Sequence, residues 1–467
     1  MLAYVRLCIR AWDWRLYLYI LLFLGLPSVY QLYRVYLIGN EIPDPGSLAI
    51  VSQWQFVGLV IEVFQEATVL AIFFFVGSQI RSGVSVQLDR IKSVLTFIFV
   101  GSLVFSAGVF LFRDAFITLI GTSDEIQAQT RSFLGISIFS VPFTMLAAAT
   151  IVLLEALNLR RLVLVMAIAN VGLRFALDSF FFGGHSFSLD AEILGVGWST
   201  LLASVAIFVV GFGLLVRTKQ ISVSSLAIRP SFNDMRQYVR VGIGSGVDSL
   251  VRNLAYFFMI IRIVNTIGAT EIGGYYIAIQ ILWSFMLVPV LAFADSAKAL
   301  VANASGDLQR IRTLWHASMV VTAGIMIIWI AAVPAFRSVA GILTDDPETI
   351  EWAAIAFGIL FVPYVLFSFN TVMDSVFYGT GKTQYLAYQA VLTNGTVYAI
   401  AFLLYVTDVW EVTFEGVMVL FSLGILLDTM LTVLFLLKIL YLDQSSGTSA
   451  AVHTQVRRTE TEGLSKG

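Results

Sequence analysis

The sequence has very little charge and almost no cysteine or histidine for its length. Only 12% of its 467 residues are charged and 58% are hydrophobic, whereas soluble globular domains carry about 25% charged residues. Cysteine occurs once, at Cys8, and the histidines are His185, His316 and His453. These scarcities exclude a soluble fold and an internal disulfide, and they leave zinc and iron–sulfur sites without a cluster of ligands.

Positive and negative charges nearly cancel, since the chain has 28 Lys and Arg residues and 30 Asp and Glu residues. Such a chain has no global positive field for nucleic acid. Gly381-Lys382-Thr383 matches the end of a phosphate-binding loop, but Val376 stands where that motif needs its first glycine. We therefore expect that the protein binds no nucleic acid, ATP, cofactor or metal ion.

Long apolar runs dominate the rest of the chain. A membrane-spanning helix needs about 20 such residues, and the first run is expected to belong to the mature fold because no short signal-peptide pattern precedes it. The predicted spans are 15–39, 47–77, 93–121, 126–157, 161–183, 192–217, 237–267, 270–302, 312–340, 349–379, 384–407 and 414–441. This predicts an all-α polytopic membrane protein with an N-terminal six-helix lobe (1–217), a cytoplasmic linker (218–236), a C-terminal six-helix lobe (237–441) and a polar cytoplasmic tail (442–467).

The loops between these spans alternate in charge. Lys and Arg concentrate on one side, which the positive-inside rule assigns to the cytoplasm, and acidic residues concentrate on the other. We therefore expect a multi-pass protein of the plasma (inner) membrane with both termini in the cytoplasm. The basic loops include Arg15, Arg90, Arg161, Arg217, Arg236, Lys298, Arg310 and Lys382, and the acidic loops include Glu41, Asp124, Asp190, Glu271, Asp345, Asp346 and Asp408.

The two halves also match each other locally. Val141-Pro142-Phe143 parallels Val362-Pro363-Tyr364, and Asn170 and Asn394 occupy matching places in the helix that follows. Each half starts and ends inside, so the repeat is parallel, with an axis along the membrane normal. Transporters are commonly built from such repeats, with the substrate site between them.

Several short segments, in this order and spacing, resemble the multidrug and toxin extrusion (MATE) family within the wider superfamily that includes lipid-linked oligosaccharide flippases. The likeness covers roughly residues 15–440. The segments that carry it are Asn170, Arg174 and Asp178 before Gly183-Gly184, Leu194-Gly195-Val196-Gly197, Ile267-Gly268-Ala269-Thr270, Tyr275-Tyr276-Ile277-Ala278 and Gly379-Thr380-Gly381-Lys382-Thr383.

The resemblance implies a V-shaped pair of six-helix bundles and a monomer that exports cationic or amphipathic molecules in exchange for H⁺ or Na⁺ by alternating access. The sequence departs from the family at two places. The proton-coupled branch has an aspartate in the first helix, where this chain offers Tyr30, Tyr33 and Arg34. The sodium-coupled branch has a glutamate in the seventh helix, where this chain has Arg252. The coupling ion therefore stays open.

Ionisable residues within spans are costly and should face the protein interior or water. Asp178 follows Arg174 by one turn, and Asp248 precedes Arg252 by one turn, so each acid is predicted to pair within its own helix. Such pairs can simply stabilise a lobe. Because a neighbouring cation sets the proton affinity of a carboxylate, Asp178 is also a candidate coupling residue that alternates between pairing with Arg174 and binding H⁺ or Na⁺. Glu62, Glu66 and Asp248 are further candidates for ion coupling.

Glu62 and Glu66 lie four residues apart on the second helix, which places both on one face. They can share a proton, attract a cationic substrate or pair with Arg34 or Arg262 across the cleft. Large amphipathic side chains on the second, seventh and eighth helices either pack or line a cavity for aromatic and cationic molecules. These candidate substrate-binding residues are Gln53, Trp54, Asn253, Tyr256, Tyr276, Gln280 and Trp283.

The remaining charged residues within spans are given no role in transport. Asp295, Lys298 and Asp374 lie near predicted cytoplasmic helix ends, where snorkelling explains them. Asp428 in the twelfth span has no obvious partner, apart from an arginine in another helix.

Three other functions compete with a cation-coupled exporter. A lipid-linked oligosaccharide flippase would have the same fold with a larger, more basic cavity, and Arg34, Arg252 and Arg262 keep this alternative open. A membrane transferase would need clustered acids at a membrane face, and Asp345-Asp346 is the only such cluster. A channel or scaffold does not explain duplicated halves with buried acids, so we expect a transporter and no enzyme.

Overall fold

The computed structural model describes residues 12–42, 44, 46–69, 72, 84–157, 159–218, 232–304, 307–380, 382 and 384–442, in places by backbone alone. These residues form helices and connecting turns, without a strand among them. Ten helices are long and apolar enough to cross a membrane, and two further pairs of helices, each bent by more than 40°, pass the same test as pairs. The described part of the chain therefore supplies twelve spans when each bent pair is counted as one.

We number the spans α1 to α12 in chain order. The first six are α1 (Trp14–Glu41), α2 (Ser47–Thr68), α3 (Val84–Leu111, followed by Arg113–Ile120), α4 (Gln127–Ser137 and Ser140–Ala156), α5 (Arg160–Phe182) and α6 (Glu192–Arg217). The second six are α7 (Phe232–Ile267), α8 (Ala269–Met286 and Val288–Asn303), α9 (Leu308–Ala332, continuing to Leu343), α10 (Pro347–Thr380), α11 (Gln384–Val406) and α12 (Phe414–Leu442).

Helix starts follow local capping chemistry. The Asp13 carboxylate accepts hydrogen bonds from the backbone N–H groups of Arg15 and Leu16, both at 3.1 Å. Asp307 caps α9 in the same way, and the Thr413 hydroxyl caps α12. These side chains satisfy N–H groups that have no partner inside the helix.

Two spans are bent next to prolines. The segments of α4 meet at 45° and those of α8 at 42°, and each second segment carries a proline in its first turn, Pro142 and Pro289. Proline lacks the N–H group that would continue the preceding helix, but it fits the first turn of a new one. Pro363, which matches Pro142 in the sequence repeat, instead lies inside the unbroken 34-residue α10. The halves are therefore not identical in shape.

Several predicted boundaries differ from the structure. The second span was expected to reach residue 77, but α2 ends at Thr68 and most of the remainder lies outside the described residues. The third was expected to be continuous to residue 121, but α3 breaks at Phe112. The predicted linker 218–236 overlaps α7, which begins at Phe232. Residues 219–231 and 443–467, with most of the linker and tail, lie outside the described residues.

The hydrophobic core is divided into three main clusters. One cluster belongs to the first half, between Val57 and Leu215, and another belongs mainly to the second half, between Val290 and Leu440. The third contains residues of both halves, such as Ile50 and Tyr275, and lies toward the acidic loops. The halves thus share one core, and each of the other two clusters belongs mainly to one half, with Tyr238 and Trp12 contributed by the opposite half.

Helices α1, α2, α7 and α8 join the two lobes. Trp12 stacks on Phe293 of α8 at a centroid distance of 4.1 Å and donates a hydrogen bond to Ser296. Tyr238 of α7 packs into the core of the first half and donates to the carbonyl oxygen of Thr68. Side chains on these four helices therefore form the wall between the lobes, where a substrate site is expected.

Candidate functional site

Asp178 lies on α5 inside the first lobe and is fully buried. Its carboxylate accepts hydrogen bonds from the Tyr30 hydroxyl at 2.7 Å and from the Ser199 hydroxyl. The Nε atom of Arg34 is 3.7 Å from the same carboxylate. Asp178 is therefore held by α1 and α6, with one cation and two hydroxyl donors around it.

The predicted pairing of Asp178 with Arg174 is wrong. The Arg174 Nε atom donates to the side-chain oxygen of Asn170 at 2.9 Å, and the cation beside Asp178 is Arg34. Arg34 also donates to Thr200 at 2.6 Å, to the Val196 carbonyl oxygen at 3.0 Å and to Tyr30 at 3.2 Å. Sequence spacing favoured the neighbour one turn away, but α1 packs closely enough on α5 to supply a different arginine.

A cavity of about 370 Å³ lies beside this cluster. Arg34 and Arg174 both line it, whereas Asp178 does not. Helices α2 and α8 close its other side with Trp54, Tyr276 and Gln280, three of the predicted substrate-binding residues. We call this space the first cavity.

Gln53 lines neither this cavity nor the one described below. Its side chain is fully buried and exchanges hydrogen bonds with that of Asn265 on α7, at 2.9 and 2.8 Å. Asn265 also donates to the carbonyl oxygen of Ile120 at 2.9 Å. Gln53 therefore joins the lobes on the acidic-loop side in this conformation instead of facing a substrate.

Glu62 and Glu66 are paired across the lobe boundary. The Nη2 atom of Arg252 on α7 is 3.3 Å from Glu62 and 3.0 Å from Glu66. The expectation that Arg34 or Arg262 would pair with them is not met, since Arg34 binds Asp178 and the Arg262 guanidinium lies 6.0 Å from the ring centre of Phe258. Glu62 and Arg252 are half-exposed, so this cluster faces open space.

A second cavity, of about 540 Å³, opens beside this cluster. Its walls contain the predicted residues Asn253, Tyr256 and Trp283 together with Glu62 and Arg252. Further aromatic and acidic lining residues come from α10, α11 and α12, namely Tyr364, Phe367, Tyr398, Phe421 and Asp428. Aromatic faces with nearby carboxylates attract flat cations.

Three π-helical turns contribute to the walls of the second cavity. They span Phe257–Ile261, Leu282–Met286 and Asn394–Tyr398, and each provides a lining residue. Such turns are rare and are frequently found at functional sites, because the wider turn redirects a side chain. The periodicity of apolar residues in the sequence does not predict these π-helical turns.

Asp374 and Asp428 form an acidic pair inside the second lobe that the sequence reasoning missed. Asn370 donates to Asp428 at 2.7 Å and Thr432 donates to Asp374 at 3.3 Å, so the turns of α10 and α12 that carry the two acids face each other. Asp428 therefore contacts an asparagine and not the expected arginine, and Asp374 faces the interior. The sequence offered one indication of this arrangement. Asn370 and Asp374 on α10, like Asp428 and Thr432 on α12, lie four residues apart and so share one face of their helix.

The last charged residues singled out in the sequence are Asp295, Lys298 and Asp248. Lys298 forms an ion pair with Asp295 at 2.8 Å and lies 4.8 Å from the ring centre of Tyr378. The side chain of Asp248 lies outside the described residues.

Comparisons with known proteins agree with this architecture. The MatE family model matches residues 245–403. The Multidrug export protein MepA of Staphylococcus aureus (strain MSSA476) is 20% identical over 397 residues, which cover 81% of this chain and 83% of that protein. The Probable multidrug resistance protein NorM of Thermotoga maritima is 24% identical over 273 residues, covering 56% of each. A solved inward-facing MATE transporter has a TM-score of 0.73 at 16% identity, covering 88% of this chain and 94% of that one.

Ten to twelve candidate membrane spans, together with similarity to multidrug transport proteins over most of the chain, define a multi-pass membrane transporter. Within that class, residues 245–403 match the MatE family model, and most of the chain is similar to multidrug proteins and MATE transporters of the same fold. The resemblance inferred from short sequence motifs is thus confirmed.

Proposed function

We propose that this chain exports cationic or amphipathic small molecules across the plasma membrane in exchange for H⁺ or Na⁺. The main support for this proposal is the second cavity. Its walls contain the aromatic residues Tyr256, Trp283 and Tyr398 and the acidic residues Glu62 and Asp428. Its volume of about 540 Å³ falls in the range of about 300–1,000 Å³ typical of small-molecule sites. The names of MepA and NorM as multidrug proteins support this substrate class.

Transport proceeds by alternating access between two lobes of a monomer, without ATP. The shared core and the Gln53–Asn265 hydrogen bonds support a conformation that is closed on the acidic-loop side. With the basic loops in the cytoplasm, as the positive-inside rule predicts, both termini would be cytoplasmic and the closed side would face outward.

Coupling is assigned to Asp178. Its carboxylate has Arg34 on one side and the Tyr30 and Ser199 hydroxyl groups on the other, so gain or loss of a proton or Na⁺ changes the charge balance of a buried cluster. Such a change alters how tightly α1 is held against α5 and α6. Glu62, Glu66 and Asp248 remain further candidates for ion coupling, with Arg252 as the observed partner of both glutamates.

Transport of a cationic dye in proteoliposomes, under separate Na⁺ and proton gradients, tests this proposal. We expect export under one gradient, loss of gradient-driven export in Asp178→Asn, and weaker dye transport in Glu62→Gln. Glu155→Gln is the matched control, because Glu155 is exposed in the first lobe and lines neither cavity. Full gradient-driven export by Asp178→Asn would refute the coupling assignment.

The alternative function, a lipid-linked oligosaccharide or polysaccharide flippase, is favoured by one observation. Arg34 and Arg174 line the first cavity, and arginine suits diphosphate recognition. In the same proteoliposomes, scrambling of a diphosphate-linked lipid without dye export under either gradient would establish this function instead.

A further inference from the structure

The first cavity has a positively charged lining. Arg34 and Arg174 face it, and no carboxylate is among the described residues that line it. Arg174 bonds only to Asn170 among these residues, which leaves its terminal nitrogens available. Two nitrogens in a planar fork can hold a carboxylate or phosphate group.

The nearby acid does not balance both arginines. Asp178 is the carboxylate behind the cavity wall, and it is already bound to Arg34, Tyr30 and Ser199. At formal charges, two guanidinium groups therefore face one carboxylate among the described residues of this membrane-spanning lobe. Because an uncompensated charge in a membrane protein is costly, this arrangement favours entry of an anionic group.

The second cavity has the opposite polarity. Glu62 and Asp428 line it with one cation, Arg252, and Arg252 is shared with a second glutamate, Glu66. Aromatic rings cover much of the remaining wall. This space therefore suits a cation with a flat apolar body.

The two cavities meet at α2. Gln55 and Gly58 line both of them, and a Cβ atom at Gly58 would have no neighbouring atom within 4 Å. The backbone at Gly58 therefore leaves open space that borders both cavities. A molecule with one end in each cavity would pass Gly58.

We propose that the paired cavities form one bipartite site for zwitterionic amphipathic molecules. The anionic group binds Arg174 within the field of Arg34, and the cationic aromatic part lies in the second cavity. This inference rests on the proposed export function and makes its substrate class more specific.

Binding of two matched dyes to the purified protein in detergent tests the inference. One is a rhodamine with a free carboxylate, and the other is its methyl ester, which keeps the cation and loses the anion. Fluorescence anisotropy should give about tenfold tighter binding of the acid, as expected for one charge-assisted contact. Equal affinities, or no binding of either dye, would overturn the inference, and this measurement needs no variant.

Variants locate the two ends of the site. Arg174→Gln should lower the affinity for the acid about tenfold and leave that for the ester unchanged. Arg161→Gln on the same helix is the control, since Arg161 is exposed and lines neither cavity. Gly58→Leu should remove the preference for the acid by separating the cavities. A preference that survives both Arg174→Gln and Gly58→Leu would also overturn the inference.

Failure of the inference and failure of the proposed function give different results. The acid-to-ester affinity ratio is measured without any gradient, whereas export requires one. Gradient-driven export of both dyes with equal affinities would retain the exporter and reject the bipartite site. A strong affinity ratio without export would support the site and reject the coupled exporter.

Discussion

At the scale of residues, the buried charges are organised by contacts between helices and not within them. Asp178 pairs with Arg34 of α1, and Glu62 and Glu66 pair with Arg252 of α7. The sequence correctly selected these acids and arginines as unusual residues for spans. It could not select their partners, because helical spacing describes only neighbours on the same helix.

Removal of the Asp178 charge should destabilise the first lobe. In Asp178→Asn the Arg34 guanidinium, about 10% exposed, loses its counterion, and an unpaired buried charge costs on the order of 3 kcal/mol. Thermal unfolding in detergent measures this loss. The double variant Asp178→Asn/Arg34→Gln should regain part of the stability, and equal stability of the single and double variants would contradict the pairing.

At the scale of elements, the fold depends on close approaches at small residues and on irregular turns. Gly39 of α1 lies against the backbone of α9, where an added Cβ atom would overlap the carbonyl oxygen of Leu343. Asn40 donates to the adjacent Ile342 carbonyl oxygen at 3.0 Å. Apolar run lengths predicted the spans well. The bends and π-helical turns escaped prediction because they depend on local backbone geometry.

Enlarging Gly39 should loosen this contact between the lobes. Gly39→Val places a branched side chain against a carbonyl group that cannot rotate away, and overpacking of this kind costs about 1–3 kcal/mol. We expect a lower thermal unfolding temperature in detergent. Gly25→Val on the same helix is the matched control, since a Cβ atom there meets nothing within 4 Å, and equal effects of the two substitutions would disprove the packing argument.

At the scale of the whole molecule, two lobes are joined on the acidic-loop side and enclose cavities of opposite charge. The Gln53–Asn265 pair and the shared core hold that side closed. The alternating access that we propose requires these contacts to open in each transport cycle. The same contacts would then act as the gate on that side.

Locking this gate should arrest transport. Cys8 is the sole cysteine, so Cys8→Ser provides a background in which Gln53→Cys and Asn265→Cys can be joined by a short thiol crosslinker. We expect the crosslinked protein to stop exporting dye in proteoliposomes and to recover after cleavage of the linker. Each single cysteine variant treated with the same reagent is the control, and unchanged export by the crosslinked protein would refute the gate.

The sequence by itself determined the membrane class and the approximate number of spans, and it predicted duplicated halves and a resemblance to the MATE family. These features follow from apolar run lengths, loop charges and short motifs, which are local or periodic along the chain. Only the tertiary structure decided that Arg34 binds Asp178, that Gln53 pairs with Asn265 and that the turns carrying Asp374 and Asp428 face each other. Each of these depends on how separate helices pack, because burial and charge pairing are properties of contacts between segments far apart in sequence.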